Sequence, residues 1–374
     1  IVSTRTAQVG LTDIFQLQDE LTRQIVDALA IPLSSRDHDR LGHDVPSSPH
    51  AYELYLRANH LAEGVSSPSR LAIARDLYCR CLEEDPQYAP AWARLGRVHR
   101  VMSKYGHDRT GDDLQKAEAA FRRALEINPD LPLAHNLYTY FAIEELGQAK
   151  ESMLRLLEQV ELRAADPHLF AGLVVACRFC GLLSPSLAAD QRARRIDPTI
   201  RTSVTYTHWM LGDYERAALT DEEEIQVVRH GALWMMGREE EALTGIRELE
   251  VHPPAGTEGW FATSLRAAFE LQRDQTVEAA QKVLDFGFHD PEGLLFFVRN
   301  YARVGETERA LATLRRSIEG GFSCPTPLVR DPWLDPLRTE PEFVRLLRVA
   351  EERHAVAAEA YTQAGGERIL GPVA

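Results

Sequence analysis

Four arginines in the first third of the chain, Arg57, Arg94, Arg97 and Arg100, are of the type and placing that could recognise an acidic group. A guanidinium is a planar fork of five N–H donors, and a set of them can grip a carboxylate or phosphate by paired hydrogen bonds. The same side chains would serve as an ordinary solvated helix face, and the sequence leaves both readings open. A second set is apolar: Tyr206, Trp209, Trp234, Met235 and Phe269. Such a lining could receive an amphipathic helix or a small ligand, or simply fill gaps between irregular repeats. Cys177 and Cys180 form C-R-F-C, which lacks the second pair or the histidines of a zinc site. Packing is the simpler role for both. The group Asp37, His38, Asp39, His43 and Asp44 has metal-ligand residue types, but lies in a polar stretch that reads as linker. No Ser-His-Asp or paired-carboxylate set can be placed with any geometry. Neither a cofactor, a metal nor a catalytic residue is expected.

The arginines need a frame to hold them, and residues 90–129 show what it is. The stretch reads P-A-W-A-R-L-G-R-V-H, then an interruption, then K-A-E-A-A-F-R-R-A-L-E-I-N-P-D. Trp92, Leu95 and Gly96 open it, and Ala117, Phe121, Ala124 and Pro129 close it. Small residues at Gly96 and Ala117 let two antiparallel helices cross closely. The large ones form an apolar stripe that buries against the next pair, and Pro129 ends the second helix. In order and spacing these residues resemble a tetratricopeptide repeat. The resemblance implies an all-α fold: a right-handed α-solenoid of about eight helix pairs with a C-terminal capping helix. Peptides usually lie on the inner face of such an array, lined by the first helix of each pair. The four arginines belong to that lining. The Lys and Asn pattern of the chaperone-type carboxylate clamp is not reproduced.

Further units can be phased along the chain. A first pair covers residues 52–82, with Ala74, Tyr78, Cys81 and Pro86 in the places of Ala117, Phe121, Ala124 and Pro129. A third turns at Gly147 and a fourth near Gly181. Beyond about residue 200 the motif decays, yet turns remain at 211–213, 236–238, 272–274 and 304–306. Ala217, Ala242, Ala280 and Ala310 supply the small residue of each second helix. The fifth pair is shortened by the acidic run 221–224, whose carboxylates suit the start of the next helix. Residues 1–30 read as the end of an upstream domain plus a linking amphipathic helix, with Ile14, Leu17, Leu21, Ile25 and Leu29 on one face. Residues 31–49 read as linker, 50–322 as solenoid, and 323–374 as a Pro-rich segment followed by the capping helix.

Three stretches outside the repeats extend the likeness. L-T-D-I-F-Q-L-Q-D-E-L, A-Y-E-L-Y-L-R-A and D-P-W-L-D-P-L-R-T-E-P-E-F-V-R-L-L resemble segments of bacterial signalling proteins that carry a TolB-like region and a tetratricopeptide array. A-G-G-E-R-I-L-G resembles the C-terminus of members that begin with a protein kinase. Other such proteins begin with an adenylate cyclase or a winged-helix domain. No glycine-rich phosphate loop followed by lysine, no H-R-D loop and no D-F-G occurs here. Kinase or cyclase activity would therefore lie upstream of Ile1, which is not a methionine and suggests a fragment or processed chain.

Composition agrees with a soluble scaffold. A net charge of -14 argues against nucleic acid, which needs a basic stripe. No apolar run reaches membrane-spanning length. Five cysteines without regular spacing suit a reducing compartment, hence the cytoplasm. The expectation is a non-catalytic protein–protein interaction scaffold that binds a partner peptide in its concave groove, the arginines there suiting an acidic segment. The alternative is a small-molecule or peptide sensor with its ligand in the apolar C-terminal half.

Overall fold

The computed structural model describes residues 46–63, 67–105, 111–219, 226–251 and 257–373. The amphipathic stretch 11–29, the histidine and aspartate group at 37–44 and the acidic run 221–224 lie outside the described residues.

Helices pair in chain order. α1 (Pro49–Leu61) packs with α2 (Pro68–Glu84), α3 (Ala89–Lys104) with α4 (Asp112–Ile127), α5 (Pro132–Glu144) with α6 (Ala149–Leu162), and α7 (Pro167–Phe179) with α8 (Leu183–Ile196). The fifth pair is short, α9 (Val204–Leu211) with α10 (Tyr214–Ala218). Then come α11 (Gln226–Met235) with α12 (Glu239–Val251), α13 (Glu258–Phe269) with α14 (Arg273–Asp285), and α15 (Pro291–Arg303) with α16 (Thr307–Glu319). The tail holds α17 (Pro325–Arg330), a 3-10 turn (Pro332–Leu337), the long α18 (Pro341–Gln363) and α19 (Gly366–Leu370). The described residues thus form an all-α solenoid of eight pairs.

The spacing of small and large residues explains the pairing. A Cβ at Gly96 would stand 2.9 Å from the Phe121 ring, so α3 and α4 meet at a point where only glycine fits. Ala117 and Ala124 are fully buried beside it. Several first helices begin at proline, whose fixed φ suits the first turn and whose missing N–H costs nothing there. Asp166 and Asp290 cap α7 and α15 by accepting hydrogen bonds from the amides of His168 (2.9 Å) and Glu292 (3.0 Å).

Within most later pairs the connection is a left-handed residue that closes the helix C-terminus, and glycine supplies it: Gly181, Gly212, Gly237 and Gly305 have φ of 75–79°. The seventh pair breaks the rule. Leu271 takes that place with φ 57°, donating to Ala268 O while Gln272 donates to Ala267 O, as Gly305 and Glu306 do one pair later. A leucine there crowds its own backbone, and its side chain is 57% exposed, so packing returns little.

The array curls far enough to meet itself. The turn at Gly147, between α5 and α6, touches the chain after α16: a Cβ on Gly321 would lie 2.9 Å from the Gly147 Cα. The Ser323 amide donates to the Phe179 carbonyl at 2.9 Å, and the Phe179 and Phe322 rings meet edge to face. α18 continues the seam. His354 Nδ1 bonds the Cys180 carbonyl at 2.8 Å, and Arg353 donates to the Ile318 carbonyl. α18 therefore caps the array by sealing its two halves together, not by covering a free end. At the centre of the curl lies α15, buried at every residue except Gly293 and Arg303. A helix buried this far needs partners for its polar groups as well as its apolar ones, and the curl supplies them: Arg178 for Glu292 and Asp331 for Arg299.

Replacing Leu271 by glycine is expected to stabilise the protein by about 0.5–1 kcal/mol, the left-handed strain relieved less the chain entropy glycine adds. Thermal unfolding measures it. A lower midpoint for Leu271→Gly would show that the leucine side chain contributes packing that outweighs the strain.

Candidate functional site

A cavity of about 400 Å³ opens on the inner face of the first four pairs. α3 supplies Arg94, Arg97, Arg100 and Lys104. α5 supplies Asn136, Tyr140 and Glu144, and α7 supplies His168 and Arg178. The link between α8 and α9 adds Asp197, Thr199 and Arg201, and α9 adds Tyr206. The far wall is the start of α15, with Asp290 and Glu292. The concave surface is thus closed at one end by the chain's own eighth pair.

The α15 end is electrostatically complete. Arg178, 1% exposed, gives Nε and a terminal nitrogen to the two oxygens of Glu292 at 2.6 and 3.0 Å. Its other terminal nitrogen reaches the Ser203 carbonyl (2.9 Å) and hydroxyl (3.1 Å). Lys104 Nζ donates to Asp290 Oδ2 at 2.7 Å and to Glu144 Oε1 at 3.1 Å, and Arg100 pairs with the other Glu144 oxygen. Burial alone would pull the Lys104 ammonium down, but Asp290 and Glu144 hold it well above its ordinary range. Burial likewise pushes the Asp290 carboxyl up, and Lys104 outweighs this and leaves it low.

The α3 end is not complete. Four buried polar atoms on the cavity wall make no hydrogen bond: Arg94 Nε, Arg100 Nε, Asn136 Oδ1 and His168 Nδ1. Burial lowers the His168 pKa, opposed by Asp166 and aided by the nearby Arg94. Two carboxylates also line this end: Glu63, and Asp197, which accepts from the Thr199 amide (2.8 Å) and hydroxyl (2.7 Å). Leaving a buried donor or acceptor unmatched costs about 1–3 kcal/mol each, and four of the sixteen such side-chain atoms among the described residues belong to residues of this wall.

The eight residues singled out from the sequence fall into three groups. Arg94, Arg97, Arg100 and Tyr206 all line this one cavity. Arg57 stands apart, exposed on α1 beside Glu53 at 3.5 Å. Of the three remaining aromatics, Trp209 and Phe269 are buried and Trp234 is half-buried. Trp209 is 3% exposed, packed on Phe296 and Tyr214 with the Arg299 guanidinium 4.5 Å over its ring. Trp234 stacks on Phe269 at 4.2 Å, and Trp333 meets Phe269 edge on. They fail to form a groove lining because α15 and the 3-10 turn have already taken their faces. Cys177 and Cys180 are buried in the core, and burial pushes the Cys180 thiol up to about 12. Among the described residues no cluster of ligating side chains could hold a metal ion, and no helix is long and apolar enough to cross a membrane.

Sequence reasoning passed over Lys104, Asn136, His168, Arg178, Asp290 and Glu292. One signal was available: Arg178 interrupts an otherwise apolar helix, inside the very C-R-F-C noted for its cysteines. Nothing local links it to Glu292, 114 residues away.

Two predictions test the seam. Arg178→Met is expected to destabilise by about 3–5 kcal/mol by stranding Glu292, and adding Glu292→Leu should recover most of that loss. A double variant as unstable as the single one would show that Arg178 acts chiefly through Ser203. Near the same seam, His289 Nε2 meets Glu145 Oε2 at 2.6 Å, and this bond, against the opposing effect of burial, raises its pKa from 6.5 to about 9. The raised folded pKa makes its stabilisation complete below pH 6.5 and lost as pH rises through 9. Buried His99, His135, His168, His208 and His230 are shifted down and act in the opposite sense at acid pH. The measurement is therefore the difference between wild type and His289→Gln, which should shrink between pH 6.5 and 9.

No family model matches the chain. A protein of Rhizobium meliloti (strain 1021) named "Putative adenylate cyclase 3" is 32% identical over 127 residues. That stretch is 34% of this chain and 22% of the relative, so the chain spans only about a fifth of the relative it matches.

Proposed function

We propose that this chain is a non-catalytic interaction scaffold of the tetratricopeptide type, and that it binds an acidic segment of a protein partner at the α3 end of the cavity. The observation that carries the reading is the convergence there of Arg94, Arg100, Asn136 and His168, each with a buried polar atom the protein does not satisfy. Arg94 and Arg100 offer donors to carboxylate oxygens. Asn136 Oδ1 needs a donor, which a peptide N–H supplies. Chain carboxylates and amides together answer the whole set, as an isolated inorganic anion would not. The partner would enter against the overall charge of -14, so recognition depends on short-range geometry and not on long-range attraction.

Similarity to part of a protein named for adenylate cyclase, together with the helical-repeat fold, supports a place in a bacterial signalling protein acting in the cytoplasm. Here the array would recruit partners for an effector domain. The sensor alternative draws less support from the apolar half, where Trp209 and Phe269 are buried under neighbouring rings and Trp234, stacked on Phe269, is half-buried.

The test is binding of acidic peptides, selected from a peptide array, to wild type and to Arg94→Glu with Arg97→Glu. Charge reversal at the open end is expected to weaken binding at least tenfold; because Arg97 also donates to the Ala62 carbonyl at 2.8 Å, thermal unfolding of the variant is measured alongside to show that it is folded. Equal binding by both proteins would exclude the α3 end as the site.

A further inference from the structure

The cavity already holds one acidic segment, and it belongs to the chain itself. Asp290, Pro291 and Glu292 lie on the far wall with two carboxylates two residues apart. The first meets Lys104 and the second is clasped by Arg178 at both oxygens. The protein thus displays the ligand chemistry that this set of cations accepts, with its spacing. Two glycines bracket the segment. Gly287, with φ 93°, precedes it with no atom near where a Cβ would stand, while Gly293 packs against the Phe288 ring, 2.4 Å from where its Cβ would stand. Leu294 to Ala302 downstream and Phe288 upstream are locked in the core, so any release must be confined to residues 289–292.

Energetics permit exchange. Charges buried in a pair recover little more than the cost of taking them out of water. A second acidic segment offering the same contacts, and also satisfying Arg94 Nε and Asn136 Oδ1, would have the more complete set of bonds.

We propose that residues 290–292 act as an internal competitor for the partner site, and that the partner carries an Asp-X-Glu-like pair which displaces them from Lys104 and Arg178. This rests on the acidic-peptide reading above and adds the spacing of the acids and a self-blocked resting state. Partner binding then loosens the start of α15, and with it the seam where His289 meets Glu145. Occupancy in the cavity is in this way reported at the joint between the two halves of the curl.

The probe is a fluorescein-labelled, C-terminally amidated peptide G-F-H-D-P-E-G-L, copied from residues 287–294, with a control carrying Asn and Gln in place of its acids. Asp290→Asn with Glu292→Gln is expected to bind the acidic peptide at least tenfold more tightly than wild type, and neither protein should bind the control. Hydrogen exchange on the unmodified protein gives a second readout that requires no variant to fold. Saturating acidic peptide should speed exchange of amides 288–294, and the control should leave them unchanged. Unchanged exchange with bound peptide overturns the competitor idea. If that binding is still weakened by Arg94→Glu with Arg97→Glu, the scaffold reading survives alone. Absence of any binding by the acidic peptide, to wild type and variant alike, overturns the competitor and its Asp-X-Glu spacing. The scaffold reading is then judged by the array-selected peptides.

Discussion

A guanidinium can be buried only where acceptors surround it, and the enclosure of Arg178 is the constraint on which the closed array depends. Its acceptors come from two distant parts of the chain: Glu292 on α15, and Ser203 in the link before α9. Ser203 lies in the link to the next pair, but Glu292, 114 residues away, would be out of reach if the array ran straight. Once it curls, α15 enters the concavity and brings Phe296 and Phe297 against Trp209 and Phe261. Arg299 completes the set, sandwiched between Trp209 and Trp333 and paired with Asp331. The apolar contacts supply most of the stabilisation. The two buried arginines supply direction, because each accepts one arrangement of partners and penalises the rest.

Much of the frame was legible in the sequence because it is written locally. Gly96 and Ala117 mark a helix crossing, the prolines mark helix starts, and the turn at 304–306 is where Gly305 takes a positive φ. Such features depend on residues within about one repeat of each other. The curl was not legible. It rests on Lys104 with Asp290, Arg178 with Glu292 and Gly147 with Gly321, pairs separated by far more than one repeat. An open solenoid was therefore the natural expectation, with an inner face free along its whole length. The same blind spot explains the candidate residues. Arg94, Arg97, Arg100 and Tyr206 share a cavity because the early pairs keep regular phase. Trp209, Trp234 and Phe269 sit on inner helices too, but later elements pack over them, which no periodicity announces.

A long open array changes shape by small shifts at every joint. Here the third and fourth pairs are tied to the eighth, so the joints between them cannot shift independently. The cavity borders that seam, and its charge pairing is part of what holds the two halves together.

Gly147 and Gly321 touch backbone to backbone, with no room for even a methyl group between them. That contact has a consequence for descent. Open solenoids lengthen and shorten readily, since duplicating a repeat adds one more interface and disturbs nothing distant. In this chain an extra helix pair between the third and the eighth would carry Gly321 past Gly147 and leave Arg178 without Glu292. The copy number of that stretch is locked by geometry, even though the identity of its repeats has drifted. Variation in length is to be looked for in the loops on the outer rim and ahead of the first pair.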